Sequence, residues 1–154
     1  MKKIVLLLVS IPLLLVSCSS TPDTASPQEQ EQVDQAFEQV YQHFEQVLIL
    51  DGAQEYTVRS RDTLSKIANK FYGQGNGYYF PLIMLASSDT VLDPDTIVPG
   101  MVLTIPDLQK NLNDASTHES LKKFFTEIAD VYKTKNTEAA PTIRKELLKI
   151  ANSL

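Results

Sequence analysis

One cysteine, two histidines and five glycines are spread over 154 residues. With Cys18 as the only thiol, no disulfide can form within the chain. His43 and His118 fall on predicted helix surface or at a helix start. Neither belongs to a metal-ligand pair at helical spacing, so no metal site is expected. Basic residues are missing over a long stretch. No Lys or Arg stands between Lys3 and Arg59, while Asp23, Glu29, Glu31, Asp34, Glu38, Glu45, Asp51 and Glu55 fall there or beside it. The formal net charge is −5. Without a basic stripe to neutralise phosphates, nucleic acid is excluded as a partner. The acidic arm would also be repelled by anionic lipid. Catalytic signals are as scarce. Asp93 and Asp95 flank Pro94, and a Pro-containing turn explains them better than acid–base work. No catalytic residue and no cofactor is expected.

What is present is concentrated in mid-chain, between Glu55 and Pro106. Tyr56 and Val58 alternate with polar residues, as a half-buried strand should. Asp62 follows and can cap a helix through its carboxylate. Leu64, Ile67, Ala68 and Phe71 then repeat at i, i+3, i+4 and i+7, which predicts one apolar helix face. Gly73 stops that helix, and Gly73, Gly75 and Gly77 are three of the five glycines. A second helix is predicted within Tyr78 to Ala86, with Pro81 in its first turn, where the missing N–H costs little. Ser87 to Asp95 reads as a loop. Val98-Pro99-Gly100 makes a turn, and Met101 to Ile105 alternates as a second strand ended by Pro106. Two short strands cannot stand alone in water. Pairing them antiparallel and laying both helices on one face gives an expected core of Val58, Leu64, Ile67, Phe71, Ile83, Leu85, Val102 and Ile105. About fifty residues suffice for such a small core.

These landmarks carry a resemblance. Glu55-Tyr56-Thr57-Val58, Asp62-Thr63-Leu64-Ser65-Lys66-Ile67-Ala68 and Ile97-Val98-Pro99-Gly100-Met101-Val102-Leu103-Thr104-Ile105-Pro106 resemble a LysM domain. The resemblance spans about a third of the chain, residues 55–106. It implies an α+β fold, a βααβ unit with a two-stranded antiparallel sheet. It also implies binding of N-acetylglucosamine-containing glycans such as peptidoglycan and chitin. Carried over by position, one side of the glycan groove is Arg61, Asp62, Thr63 and Leu64. The other side is Ser87, Ser88, Ile97, Val98 and Pro99. Leu64 and Ile97 would meet the acetyl methyl, and hydroxyl and backbone groups would fix orientation. Two positions depart from the family's habit. Arg61 stands where Gly is common before the Asp, and Ala86-Ser87-Ser88 stands where Asn often ends the second helix. Arg61 could crowd the groove or add a contact to a peptide-stem carboxylate.

The flanks frame this unit. Met1-Lys2-Lys3 followed by the apolar Ile4 to Val16 reads as a secretory signal, too short to span a bilayer as a helix of ~20 residues. It closes on Leu15-Val16-Ser17-Cys18, which looks like a bacterial lipobox. Residues 1–17 are therefore expected to be a lipoprotein signal peptide and Cys18 the lipidated residue. Two or three acyl chains, at ~0.8 kcal/mol per buried CH₂, would give lasting attachment. By resemblance to enteric-type lipoprotein sorting, Ser19 after the cysteine implies the outer membrane facing the periplasm, with the inner membrane as the other choice. Residues 18–30 are expected to be a disordered tether with an r.m.s. span on the order of 20 Å. An amphipathic helix is predicted over 31–52, with Val33, Phe37, Val40, Phe44 and Val47 on its apolar stripe. After the module, Asp107 to Asp114 is read as a docking turn. Ser116 and Glu119 stand at capping-box spacing, and Leu121, Phe124, Phe125, Ile128 and Tyr132 form one helix face. A last helix begins near Pro141. Residues 107–154 should thus form an αα-hairpin, against which the N-terminal helix can pack in a three-helix arrangement.

Taken together, the expectation is a non-catalytic peptidoglycan-binding lipoprotein that links an envelope membrane to the cell wall. The alternative is an envelope adaptor whose flanking helices bind another protein. A glycan hydrolase would need two opposed carboxylates across a deep cleft, which a ~50-residue unit of this kind does not offer.

Overall fold

The computed structural model describes residues 26–154. The expected signal peptide, the lipidation at Cys18 and most of the tether lie outside the described residues.

The first helix, α1 (Pro27–Phe44), starts earlier than the apolar stripe suggests. Ser26 and Glu29 form a reciprocal capping box, Ser26 N–H donating to Glu29 Oε2 at 2.8 Å and Glu29 N–H donating to Ser26 Oγ at 3.3 Å. Pro27 then occupies a position where no N–H is needed. The tether expected to run to residue 30 therefore gives way to helix at Pro27. The helix also ends at Phe44 rather than near Asp51-Gly52. Val47 and Leu48 stay against the core from a non-helical segment, so the apolar spacing continues after the helix has stopped.

Strands β1 (Gln54–Thr57) and β2 (Val102–Ile105) pair antiparallel, with Tyr56 opposite Leu103 and Gln54 opposite Ile105. Pairing extends to Val58, which exchanges backbone bonds with Met101 and Gly100 at 2.8 and 2.9 Å. Because strand side chains alternate, Tyr56, Val58, Leu103 and Ile105 share the buried face, each at most 8% exposed. Val102, expected in the core, is 49% exposed. It cannot share a face with Ile105 three residues away, and Leu103 takes the inward place.

Between the strands lie α2 (Leu64–Tyr72) and α3 (Phe80–Ala86), joined through a 3-10 turn at Gly77–Tyr79. Asp62, expected to cap α2, does not. Thr63 is the N-cap, in extended backbone, accepting from Lys66 N–H at 3.3 Å. Gly73 ends the helix at φ 92°. The residues from Phe80 to Leu85 are all buried, which is why α3 reads as an unbroken apolar run rather than a stripe.

The helices α4 (Leu108–Asn113), α5 (Ala115–Val131) and α6 (Ala140–Ser153) follow. The docking turn is thus a short helix. The start of α5 is capped by Asp114, which accepts from Ser116 N–H at 2.8 Å, not by Ser116 itself. α5 packs on α1 and on α6. Its Phe124 meets Phe44 edge-on at 5.5 Å, and Tyr132, at its end, meets Phe37 at 5.9 Å. Tyr79, from the turn before α3, packs edge-on against Phe125 at 5.8 Å. The three helical stripes and the βααβ unit therefore share one hydrophobic core. Among the described residues no helix is long and apolar enough to cross a membrane.

Candidate functional site

The β1–α2 loop is shaped by Asp62. Its Oδ2 accepts from Arg59 N–H at 2.8 Å and from the Tyr56 hydroxyl at 2.7 Å. The backbone bond from Arg59, and then the Tyr56 hydroxyl, hold its carboxyl below the usual range. The same bond pushes the Tyr56 phenol up. Closing this turn places Arg61 at φ 69°, a left-handed conformation rare for a side-chain-bearing residue. That is the physical reason a glycine suits this position. Arg61 itself is exposed, and its carbonyl accepts from Lys66 Nζ at 3.1 Å.

On the other side, Ser87 is 2% exposed and ties α3 to β2. Its Oγ accepts from Thr104 N–H at 2.9 Å and donates to Thr104 O at 3.4 Å. Ser88 turns toward α1, lining a shallow hollow with Tyr41 and Leu92. Ile97 is half-buried against the core, while Val98 is 52% exposed. Pro99 and Gly100 form the turn, Gly100 at φ 98° with Met101 N–H donating to Val98 O at 3.2 Å.

Among the hollows described, the expected residues fall in different places. A cleft of about 270 Å³ opens at the start of α2, walled by Thr63, Leu64 and Ser65. Leu64 is only 2% exposed and serves mainly as core. Thr63 Oγ1 and Ser65 Oγ lie 3.2 Å apart at the edge of this wall. Tyr78 and Phe80 line the cleft beside them. Gly77 permits that closeness, since a Cβ there would sit 2.8 Å from Asn69 Nδ2 and 3.1 Å from the Ser65 carbonyl. Facing them are Pro94 and Asp95 from the second loop, and Tyr132, Ala139 and Ile143 from the C-terminal helices. Thr63 and Leu64 are thus brought into the cleft. Ser87, Ser88, Ile97, Val98 and Pro99 are not among its lining residues.

Sequence reasoning passed over Lys135, which organises the second loop. Its Nζ lies 2.6 and 2.7 Å from the two Asp93 oxygens and 2.7 Å from Asp95 Oδ2. The Asp93 side chain is fully buried and that of Lys135 is 5% exposed. Asp93 also accepts from Gln30 Nε2 at 3.1 Å and from Asp95 N–H at 2.8 Å. Nothing local marks this pair; the one signal was two carboxylates around Pro94. No cluster of three or more His, Cys, Asp or Glu able to hold a metal occurs among the described residues.

Residues 56–106 match the LysM domain family. A stretch of 55 residues is 46% identical to the potassium binding protein Kbp of Escherichia coli O6:H1, covering 36% of this chain and 36% of that protein. The chain therefore spans about a third of the length of this curated relative. No solved structure matches it. The strand–helix–helix–strand order, the antiparallel register and the family match agree that residues 56–106 of this chain are a LysM domain.

Proposed function

We propose that the protein is a non-catalytic, lipid-anchored receptor for N-acetylglucosamine-containing wall glycan, tying an envelope membrane to peptidoglycan. The observation that carries this is the LysM domain over 56–106, with a cleft at the start of its first helix. Thr63 and Ser65 offer hydroxyls there, and the neighbouring Tyr78 and Phe80 an apolar surface. That pairing suits a neutral sugar bearing an acetamido methyl. Cys18 would hold the other end in lipid, and that lasting attachment raises the effective affinity of a weak glycan site. The relative's name speaks of potassium, and with a third of its length matched that property stays with the relative. The adaptor reading has less to work with, because the stripes of α1 and α5 are largely buried and that of α6 is partly buried against the same core.

The test uses mature protein and purified, protein-free sacculi. Retention on sacculi, competed by chito-oligomers, is expected, together with NMR shifts in residues 61–65 on titration. Replacing Cys18 by Ala should move the protein from the membrane to the soluble fraction of cells. Indifference to both polymers would defeat the glycan reading.

A further inference from the structure

The cleft has a wall that a LysM unit by itself does not supply. Tyr132 stands at the end of α5, and Ala139 and Ile143 at the start of α6. We propose that the C-terminal hairpin completes the glycan site, so that one aminosugar residue is held between the start of α2 and the start of α6. This inference rests on the glycan reading and adds residues outside 56–106 to the site.

Three features support it. The lining is mixed in chemistry: the hydroxyls of Thr63 and Ser65 stand beside the rings of Tyr78 and Phe80, and apolar Ile143 and Ala139 complete it from the hairpin. An acetamido sugar combines hydroxyls and a methyl in the same way. Size is the second feature. About 270 Å³ is just under the ~300 Å³ at which clefts for larger small molecules begin, so one ring fits and a folded chain segment does not. Asp95 is the third. Its carboxylate is 66% exposed, yet Lys135 holds Oδ2 at 2.7 Å and Asp93 holds its N–H at 2.8 Å. An acceptor fixed in advance can take sugar hydroxyls or an amide N–H without first being ordered. Its carboxylate disfavours phosphates and other anions, and the hydroxyl and apolar lining around it suits a neutral polyol amide.

The experiment is an NMR titration of the mature chain with chitotetraose, following methyl and amide resonances. Three variants accompany it. Ala139→Trp fills the cleft from the hairpin, Ser65→Trp fills it from the LysM side, and Thr137→Trp alters the same hairpin loop, in a hollow on its other side. Each is checked for folding by circular dichroism. The expected result is affinity at least tenfold weaker for Ala139→Trp and Ser65→Trp, Thr137→Trp within twofold of the parent, and a shift of the Ile143 methyls in the parent. If Ser65→Trp loses binding while Ala139→Trp binds like the parent and the Ile143 methyls stay still, the hairpin is not part of the site and the glycan reading stands. If the parent chain does not bind, the glycan reading and this inference fall together. Should Ala139→Trp not fold, the Ile143 methyls in the parent chain decide the matter alone.

Discussion

The two loops beside the cleft are held by different means. In the first, every partner is close in sequence: Asp62 takes Arg59 N–H and the Tyr56 hydroxyl, Thr63 takes Lys66 N–H, and Lys66 reaches the Arg61 carbonyl. The second has local bonds too, such as Asp95 N–H to Asp93, but remote partners are added to them. Ser87 binds Thr104, the Tyr41 hydroxyl donates to Leu92 O, Gln30 donates to Asp93, and Lys135 closes on Asp93 and Asp95. One loop is a self-contained turn. The other is a junction where α1, the βααβ unit and the hairpin meet. The shape of the cleft is therefore set by the whole chain, although one wall belongs to a local motif.

Removing Lys135 should break this contrast most. Lys135→Met leaves the Asp93 carboxylate buried without its counter-charge, a loss of roughly 3–5 kcal/mol, to be read from urea unfolding. The damage should be confined: amides of 87–97 should exchange faster with deuterium while 59–66 keep their protection. Adding Asp93→Asn to Lys135→Met should recover part of the loss, since the uncompensated charge is then gone. Equal exchange in both loops would show that the junction is not local to the second.

Ser87→Ala is the next test. It strips the part-buried Thr104 N–H of its acceptor, at about 1–2 kcal/mol, with the same unfolding readout. The fall should appear at the α3–β2 contact and leave the β1–α2 turn as it was.

Asp62→Asn probes the first loop and is milder, about 1 kcal/mol for a partly exposed carboxylate accepting two bonds. Its pH dependence has a definite sign. The folded pKa is lowered, so the native state holds the proton less tightly than the unfolded chain. The contribution is complete above the unfolded value of about 3.9 and fades as pH falls through the lower folded value. Glu29, Asp51 and Asp114 are lowered too. The difference in Tm between parent and variant isolates Asp62: full at pH 6, vanishing in the acid limit. A difference that grew toward low pH would contradict the assignment.

The smallest effect is Arg61→Gly. Relieving a side chain at φ 69° should raise stability by up to about 1 kcal/mol, offset in part by the greater freedom of glycine in the unfolded chain. A loss instead would mean the Arg61 side chain makes a contribution that outweighs its backbone strain.

This contrast also explains what could be read in advance. Gly73 at the end of α2, Pro81 in the first turn of α3 and the Pro99-Gly100 turn act through their own backbone, so residue type alone locates them. The cap of α2 shifted from Asp62 to Thr63 because both residue types can cap; only the turn, which swings the Asp62 carboxylate back to Arg59, decides between them. Val102 was misplaced by ignoring strand parity, which was there to be used. Lys135 and Asn111 were out of reach. Asn111 is fully buried and clamps Ile49 through both backbone groups at 2.8 and 3.0 Å, but its partner lies 62 positions away. Thr63 and Leu64, which the motif singled out, line the cleft. Asp95, Ala139 and Ile143 needed the hairpin folded over them.

The early start of α1 bears on reach. If Cys18 is held in a bilayer as proposed, seven residues, and so eight Cα–Cα steps, separate it from Ser26, where the helix is capped. Fully extended, such a leash covers about 28 Å, and the rigid body begins there. Under the proposed anchoring, so short a leash would leave the protein little room to search for distant wall strands. Lengthening it with a Gly/Ser insert ahead of Ser26 should widen the zone from which it can capture polymer, and in doing so measure how close to the lipid surface the strands run.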